Sequence, residues 1–214
     1  MKEPTENDPA SKKSIKQKWI SIFRYNKLYI GFWVLIILVL IYIGDVVYRS
    51  SKEFVLQGFI ANDEKNIFNA EQLSKDMQTY LGLEKHQIAV FDDSLFVVFD
   101  KADHYIESSI SKIYAYMAAK ELDFLIAPRS VAEHYAANLP LLDFKDLLSD
   151  EFNDQVMANL QETMSFDGEN GMYLLSMSSS RFAKTTDLYM IVPKEAPHQQ
   201  TLRQFIRFAF LVEE

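Results

Sequence analysis

The chain has 214 residues, with 22 Lys and Arg against 30 Asp and Glu, a formal net charge of -8. That balance, with no basic stripe in the folded part, gives little grip on nucleic-acid phosphates, so no nucleic acid is expected as a partner. The absence of cysteine excludes disulfide frameworks, thiolate metal sites and cysteine nucleophiles, and leaves the redox compartment unmarked.

The first residues, MKEPTENDPASKKS, are polar and proline-bearing, a composition that predicts disorder, and their lysines suit contact with anionic lipid. Between Lys27 and Asp45 runs LYIGFWVLIILVLIYIG, without a charge and long enough to cross most of a bilayer core of roughly 30 Å. Tyr25, Tyr29 and Trp33 toward one end, and Tyr42 and Tyr48 toward the other, are placed for headgroup depth. Seven of the 22 basic residues and three of the 30 acidic ones precede the span. The positive-inside rule then puts the N-terminus in the cytoplasm. The chain beyond the span holds 15 basic and 27 acidic residues, a net charge of -12 facing outward. The apolar run exceeds a usual signal-peptide core, and IGDVVYRSS offers no small-x-small cleavage site, which favours an uncleaved anchor. The expected organisation is a cytoplasmic tail (1–27), a transmembrane helix (28–44) that meets membrane lipid, a juxtamembrane linker (45–52) and an extracellular α/β domain (53–214).

Within that domain, SKEFVLQGFIAND predicts a first strand from Glu53 to Ile60. Asn69 and Gln72 at capping-box spacing, apolar Leu73, Met77, Tyr80 and Leu81, and a stop at Gly82 predict a helix. QIAVFDDSLFVVFD holds two apolar runs around Asp92, Asp93 and Ser94, which predicts an antiparallel hairpin. From Lys101 to Lys120, Ile106, Ile110, Ile113 and Met117 recur at helical spacing, with Glu107, Ser108, Ser111 and Lys112 on the other sides. LDFLIA is a core strand ended by Pro128, and Ser130 with Glu133 has the spacing of a helix cap. Short helices are expected near Asp143 and Ser149, strands at GMYLLSMS and DLYMIVP, and a closing helix with Leu202, Phe205, Ile206 and Ala209 as its stripe, widened by Phe208 and Leu211. Helix, strand and helix in immediate succession give a mixed-sheet α/β fold.

The succession KIYAYMAAKELDFLIAPRSVAEHYA, LLDFKDLL, LYMIVP and TLRQFIRFAF resembles extracellular solute-binding proteins of the type II periplasmic-binding fold. More closely, it resembles small membrane-tethered proteins of Gram-positive bacteria that borrow this fold. The resemblance implies a binding lobe closed by a late strand and helix, and the length leaves room for one lobe or a much reduced pair.

In open α/β sheets ligands sit beyond the carboxyl ends of strands, near helix N-termini. That rule selects Asn62 and Asp63, Arg129 and Ser130, and the serine run Ser178, Ser179 and Ser180 with Arg181, which offers hydroxyls and a cation to an anionic ligand. Each has a structural role competing with the functional one: a turn at Asn62 and Asp63, a cap at Ser130, a solvated charge at Arg129, an exposed loop or edge strand at the serines. His86, His104, His134 and His198 lack metal-ligand spacing, and Asp92-Asp93 lacks the frame of a calcium loop. Ser109 and Lys112 match Ser-x-x-Lys, and Lys184-Thr185-Thr186 loosely matches a lysine-threonine strand motif, but the intervening Ser-x-Asn element is missing, and Ser109 and Lys112 are accounted for as the polar face of the amphipathic helix. No catalytic residue, metal or cofactor is therefore expected. The expected function is a membrane-anchored, non-catalytic extracellular binding domain whose ligand the sequence does not identify, a small polar molecule being one candidate. Its alternatives are an ectodomain docking another membrane protein, such as a transporter, and a tethered hydrolase using Ser109 and Lys112.

Overall fold

Apolar side chains run almost without interruption along β-strands such as FLIAP and LYMI, buried on both faces by helices, as a central α/β sheet requires. The computed structural model describes residues 27–50, 52–101, 103–148, 154–166, 172–182 and 187–211. It divides into two units, Met1–Ser51 and Lys52–Glu214.

The first unit is described over one helix, α1 (Lys27–Ser50), of 24 residues. Its side chains are described only from Tyr29 to Asp45. Among the described residues no helix is long and apolar enough to cross a membrane. The backbone of α1 continues beyond that described stretch in both directions. Residues 1–26 of the expected tail, with Tyr25, lie outside the described residues, as does the side chain of Tyr48, while Lys27 already belongs to α1.

In the second unit β1 (Glu53–Ala61), β2 (Gln87–Leu95), β3 (Phe124–Pro128), β4 (Leu160–Thr163), β5 (Met172–Ser176) and β6 (Leu188–Ile191) form one sheet in the order β2-β1-β3-β6-β5-β4. β1 runs parallel to β2 and β3, and the remaining pairs are antiparallel. The helices are α2 (Ala70–Tyr80), α3 (His104–Ala118), α4 (Arg129–Asn138), α5 (Phe144–Leu147), α6 (Asp154–Met157) and α7 (Gln199–Phe210).

Period two sorts the core into two layers. Leu56, Ile60, Phe91, Phe124, Ile126 and Met190 pack with Leu73 and Met77 of α2 and with Leu202, Phe205 and Ile206 of α7. Phe59, Ala61, Leu125, Ala127 and Ile191 pack with Ile113 of α3 and with Val131 and Tyr135 of α4. Each fully buried Val, Leu, Ile, Met or Phe among them contributes roughly 1.5–3 kcal/mol of transfer free energy. Gly58 is dictated by this packing: a Cβ there would come within 2.2 Å of Phe124 Cζ.

Local signals mark several elements well. Asn69 caps α2 by accepting from the Gln72 N–H, Gly82 follows at φ +61, Asp103 caps α3, and Asp143 caps α5. The element expected near Ser149 has that residue outside the described set.

Five expectations are corrected. Asp92, Asp93 and Ser94 do not turn a hairpin. They lie inside one continuous edge strand, parallel to β1, where the register slips between Phe59↔Asp92 and Ala61↔Leu95. A bulge in an edge strand tolerates polar residues that otherwise signal a turn, and here Asp93 accepts from the Ala70 N–H at the start of α2. Ser130 does not cap α4, because the helix begins two residues earlier than that cap requires, at Arg129, with Pro128 in the N-cap position and no side-chain cap. Ser109 is buried rather than on the polar face of α3, since that face meets the chain leaving β2. Leu211 leaves the α7 stripe because it takes the left-handed cap conformation and is exposed. Finally, β4 stands where no strand was expected, its short LQET segment being recruited by pairing with β5.

Candidate functional site

The strand order sets the end of the sheet at which the rule for α/β folds puts ligands. β1 has β2 on one side and β3 on the other. The chain leaving β1 enters the layer of α2, whereas the chain leaving β3 enters the layer of α4. The two loops diverge over their carboxyl ends, which makes this a topological switch point. Because β6 is antiparallel to both β3 and β5, the carboxyl end of β5 lies at the same end of the sheet. At a strand spacing of about 4.8 Å, β5 is roughly 10 Å from β3.

Asn62 and Asp63 are brought to this end but are consumed by the fold. Asn62 adopts φ +60, donates from Nδ2 to the Val97 carbonyl (2.9 Å) and accepts from the Val97 N–H at Oδ1 (2.7 Å). The Asp63 carboxylate accepts from the N–H groups of Ile67 (2.8 Å) and Phe68 (2.9 Å). Both residues therefore shape the loop into α2.

Arg129 and Ser130 open α4 and face outward. Arg129 donates from Nε to Glu133 Oε1 (2.7 Å), and its Nη1 lies 3.4 Å from Gln161 Oε1. Its guanidinium sits 5.8 Å from the Tyr189 ring centre. The Tyr189 hydroxyl donates to the same Gln161 oxygen (3.3 Å). Burial, then the Asp187 hydrogen bond, pushes the Tyr189 hydroxyl pKa up, so it acts as a neutral donor. The result is a small polar cluster of Arg129, Glu133, Gln161, Tyr189 and Asp187 at the carboxyl end of β3. Ser130 is exposed beside it, at a helix start with no side-chain cap. Gln161 and Tyr189 were not singled out from sequence. Gln161 sits on β4, too short to carry a strand signal, and Tyr189 alternates as an ordinary apolar strand residue.

The serine run does not join this cluster through any hydrogen bond among the described residues. Ser178 Oγ lies 3.0 Å from Ser176 Oγ, Ser179 donates to Asn159 Oδ1 (2.7 Å), and Ser180 is fully buried, accepting from the Phe182 N–H (3.4 Å). Arg181 donates its N–H to the Ala209 carbonyl (2.8 Å) and lays its guanidinium 4.4 Å from the Phe208 ring centre on α7. The sequence-selected residues thus share an end of the sheet without converging on one point.

The Ser-x-x-Lys pair is likewise engaged in the fold. Ser109 Oγ donates to the Tyr105 carbonyl (3.0 Å) and accepts from the Phe96 N–H (3.2 Å). Lys112 Nζ pairs with Asp92 Oδ2 at 2.5 Å and lies 5.4 Å from the Phe59 ring centre. Each of the two thus has its own partners in the fold. Lys184, Thr185 and Thr186 lie outside the described residues. Among the described residues no group of three or more His, Asp or Glu could hold a metal ion.

Two cavities are lined by described residues. One, open and of about 650 Å³, lies where α3 begins, beside Phe96, Lys101, Asp103, Tyr105 and Ile106. The other, of about 360 Å³, lies at the opposite end of the sheet, beside the last turn of α3. None of the sequence-selected residues lines either. Comparison with protein-family models, with curated proteins and with solved structures finds no match to this chain.

Proposed function

We propose that the chain is a single-pass bacterial membrane protein, N-terminus in the cytoplasm, displaying outside the cell a non-catalytic α/β lobe that binds a small polar ligand. The observation that carries the anchor is the apolar surface of α1. Trp33, Leu35, Leu38, Leu40 and Ile41 point to all sides of that helix, and each is more than half exposed. A helix apolar all round is at home only in a protein core or in lipid. The stretch with described side chains is too short by itself. The full 24-residue backbone, at about 1.5 Å per residue, is about 36 Å long, sufficient for a bilayer core of roughly 30 Å. Seven basic residues before the span set the orientation.

Binding without catalysis is supported by the engagement of Ser109 and Lys112 inside the fold. A solute-binding lobe is supported by the late strand β6, inserted beside β3 and antiparallel to it, with α7 following. The ligand end is the carboxyl end of β3, where Arg129 and Ser130 face outward. A second reading, docking of another membrane protein, is favoured by β4: its outer edge has no partner strand among the described residues, and Met164 and Phe166 follow it in exposed positions.

The cysteine-free sequence makes a direct test simple. A single cysteine at exposed Glu64 should react with a membrane-impermeant maleimide on intact cells, and one at Lys12 only after permeabilisation; the reverse pattern would sink the topology. A thermal-shift panel of amino acids, sugars, peptides and phosphates then separates the two readings. A ligand raises the melting temperature by linkage, whereas no shift at saturating concentrations leaves the docking reading.

A further inference from the structure

The 360 Å³ crevice has the build of a ligand site, and it lies away from the carboxyl-end cluster. One wall is the end of α3, with Tyr114, Met117 and Ala118; the other is made by Leu139 and Pro140 after α4 and by Pro193 and Lys194 after β6. The walls are preformed. Leu141 bridges Pro193, the Leu142 N–H donates to the Val192 carbonyl (2.8 Å), and the Lys194 N–H donates to the Pro140 carbonyl (3.1 Å). The two prolines fix φ on either side of this short ladder. Behind the α3 wall, the Tyr114 ring packs 5.6 Å from that of fully buried Tyr135. Rigid walls of this kind bind without the cost of ordering a loop.

The charges at the rim are unequal. Glu195 is paired with Lys120 at 2.8 Å, which neutralises it. Lys194 is exposed and has no ion-pair partner among the described residues, so the rim offers one free cation above an apolar interior. The volume falls in the range of roughly 300–1,000 Å³ typical of small-molecule sites.

We propose that this crevice binds a small apolar molecule bearing a single carboxylate, its hydrocarbon body against Met117, Leu139 and Pro193 and its carboxylate toward Lys194. The inference is independent of the membrane anchor and of the site at the carboxyl end of β3.

The test uses the full chain in detergent, with methyl NMR of Met117 assigned through Met117→Leu. The probes are 3-phenylpropionate, its neutral amide 3-phenylpropanamide and the cation 3-phenylpropylamine. The carboxylate should shift the Met117 methyl saturably and bind about fivefold more tightly than the amide, the ratio expected of one exposed charge pair. The amine should bind more weakly than the amide. Lys194→Ala should erase the difference between carboxylate and amide without weakening the amide. Ala118→Trp, at an exposed position, should abolish binding of both by filling the crevice; if that variant does not fold, the Lys194→Ala comparison decides. Equal affinity for the three probes, binding that survives in folded Ala118→Trp, or a Met117 methyl unmoved by any of them overturns the proposal, the last pointing to a crevice closed by protein.

Discussion

Asp123, fully buried at the amino end of β3, holds His198 at the start of α7 through both carboxylate oxygens. The His198 N–H donates to Oδ1 (2.8 Å), and the His198 ring Nδ1 lies 3.0 Å from Oδ2. Oδ2 also accepts from the Gln57 N–H of β1 (2.7 Å). One side chain therefore fastens the closing helix to the central strands across 75 residues of sequence. Asp123→Ala would leave two backbone donors without this acceptor and is expected to cost roughly 3 kcal/mol or more. His198→Ala keeps the backbone bond and is expected to cost about 1 kcal/mol. Urea denaturation followed by circular dichroism measures both; an Asp123→Ala variant within experimental error of the parent would refute the role.

Asp92 and Lys112 give the stability a pH dependence of defined sign. Burial opposes ionisation of Asp92, but the Lys112 hydrogen bond and those from Ser94 outweigh it and hold the carboxyl below its usual 3.8. The folded chain thus favours the ionised form more than the unfolded chain does. The contribution is complete above about pH 4 and is lost as pH falls through the lowered value. Lys112→Met keeps the stem packed near Phe59 and Tyr116 while removing the charge. The gap in melting temperature between parent and variant should be widest near neutrality and close progressively below about pH 4. A gap that stays constant down to about pH 2 would show that the pair contributes nothing to folding.

Gly58 and Phe124 set a steric limit on the centre of the sheet. The Phe124 ring that a Gly58 Cβ would meet is stacked 4.6 Å from Phe205 and lies 6.0 Å from Phe91, so it has little room to retreat. Gly58→Ala is expected to cost about 3 kcal/mol by overpacking. Adding Phe124→Leu should recover part of that loss, so that the double variant is more stable than the sum of the two single changes predicts. Strict additivity in denaturation curves would exclude a direct clash.

What the sequence made legible was local chemistry. The Asn69 cap, the Gly82 stop, the 3.6-residue stripe of α7 and the Asp143 cap each rest on neighbours within a few residues, and each is present. Partners far along the chain were not legible. Nothing near Asp92-Asp93-Ser94 tells that Lys112 and the start of α2 engage the two carboxylates, so a bulged edge strand looked like a turn. Asn62 was placed at the correct end of the sheet, but its clamp on Val97 spans 35 residues and was invisible. Glu133 was assigned to a cap with Ser130, whereas it neutralises Arg129. Ser109, assigned to a solvated face, fills two hydrogen bonds inside.

Tyr135 offers a test in which losing a polar group should help. Its side chain is fully buried in α4, between Tyr114 and Phe99, and its hydroxyl has no hydrogen-bond partner among the described residues. Burial, reinforced by Tyr114, raises its pKa far above the usual tyrosine value, so the hydroxyl stays protonated throughout the folded pH range. A buried hydroxyl without a partner forfeits roughly 1–3 kcal/mol of hydration. Tyr135→Phe removes that group, keeps the ring contacts, and should raise stability by about 1 kcal/mol in urea denaturation. Tyr135→Leu should do the opposite, because it gives up the aromatic contacts with Tyr114 and Phe99 and leaves space in the layer of α3 and α4. A Tyr135→Phe variant less stable than the parent by about 1 kcal/mol or more would mean that the hydroxyl is satisfied in solution, and would mark this position beside the crevice wall as a polar anchor rather than a packing residue.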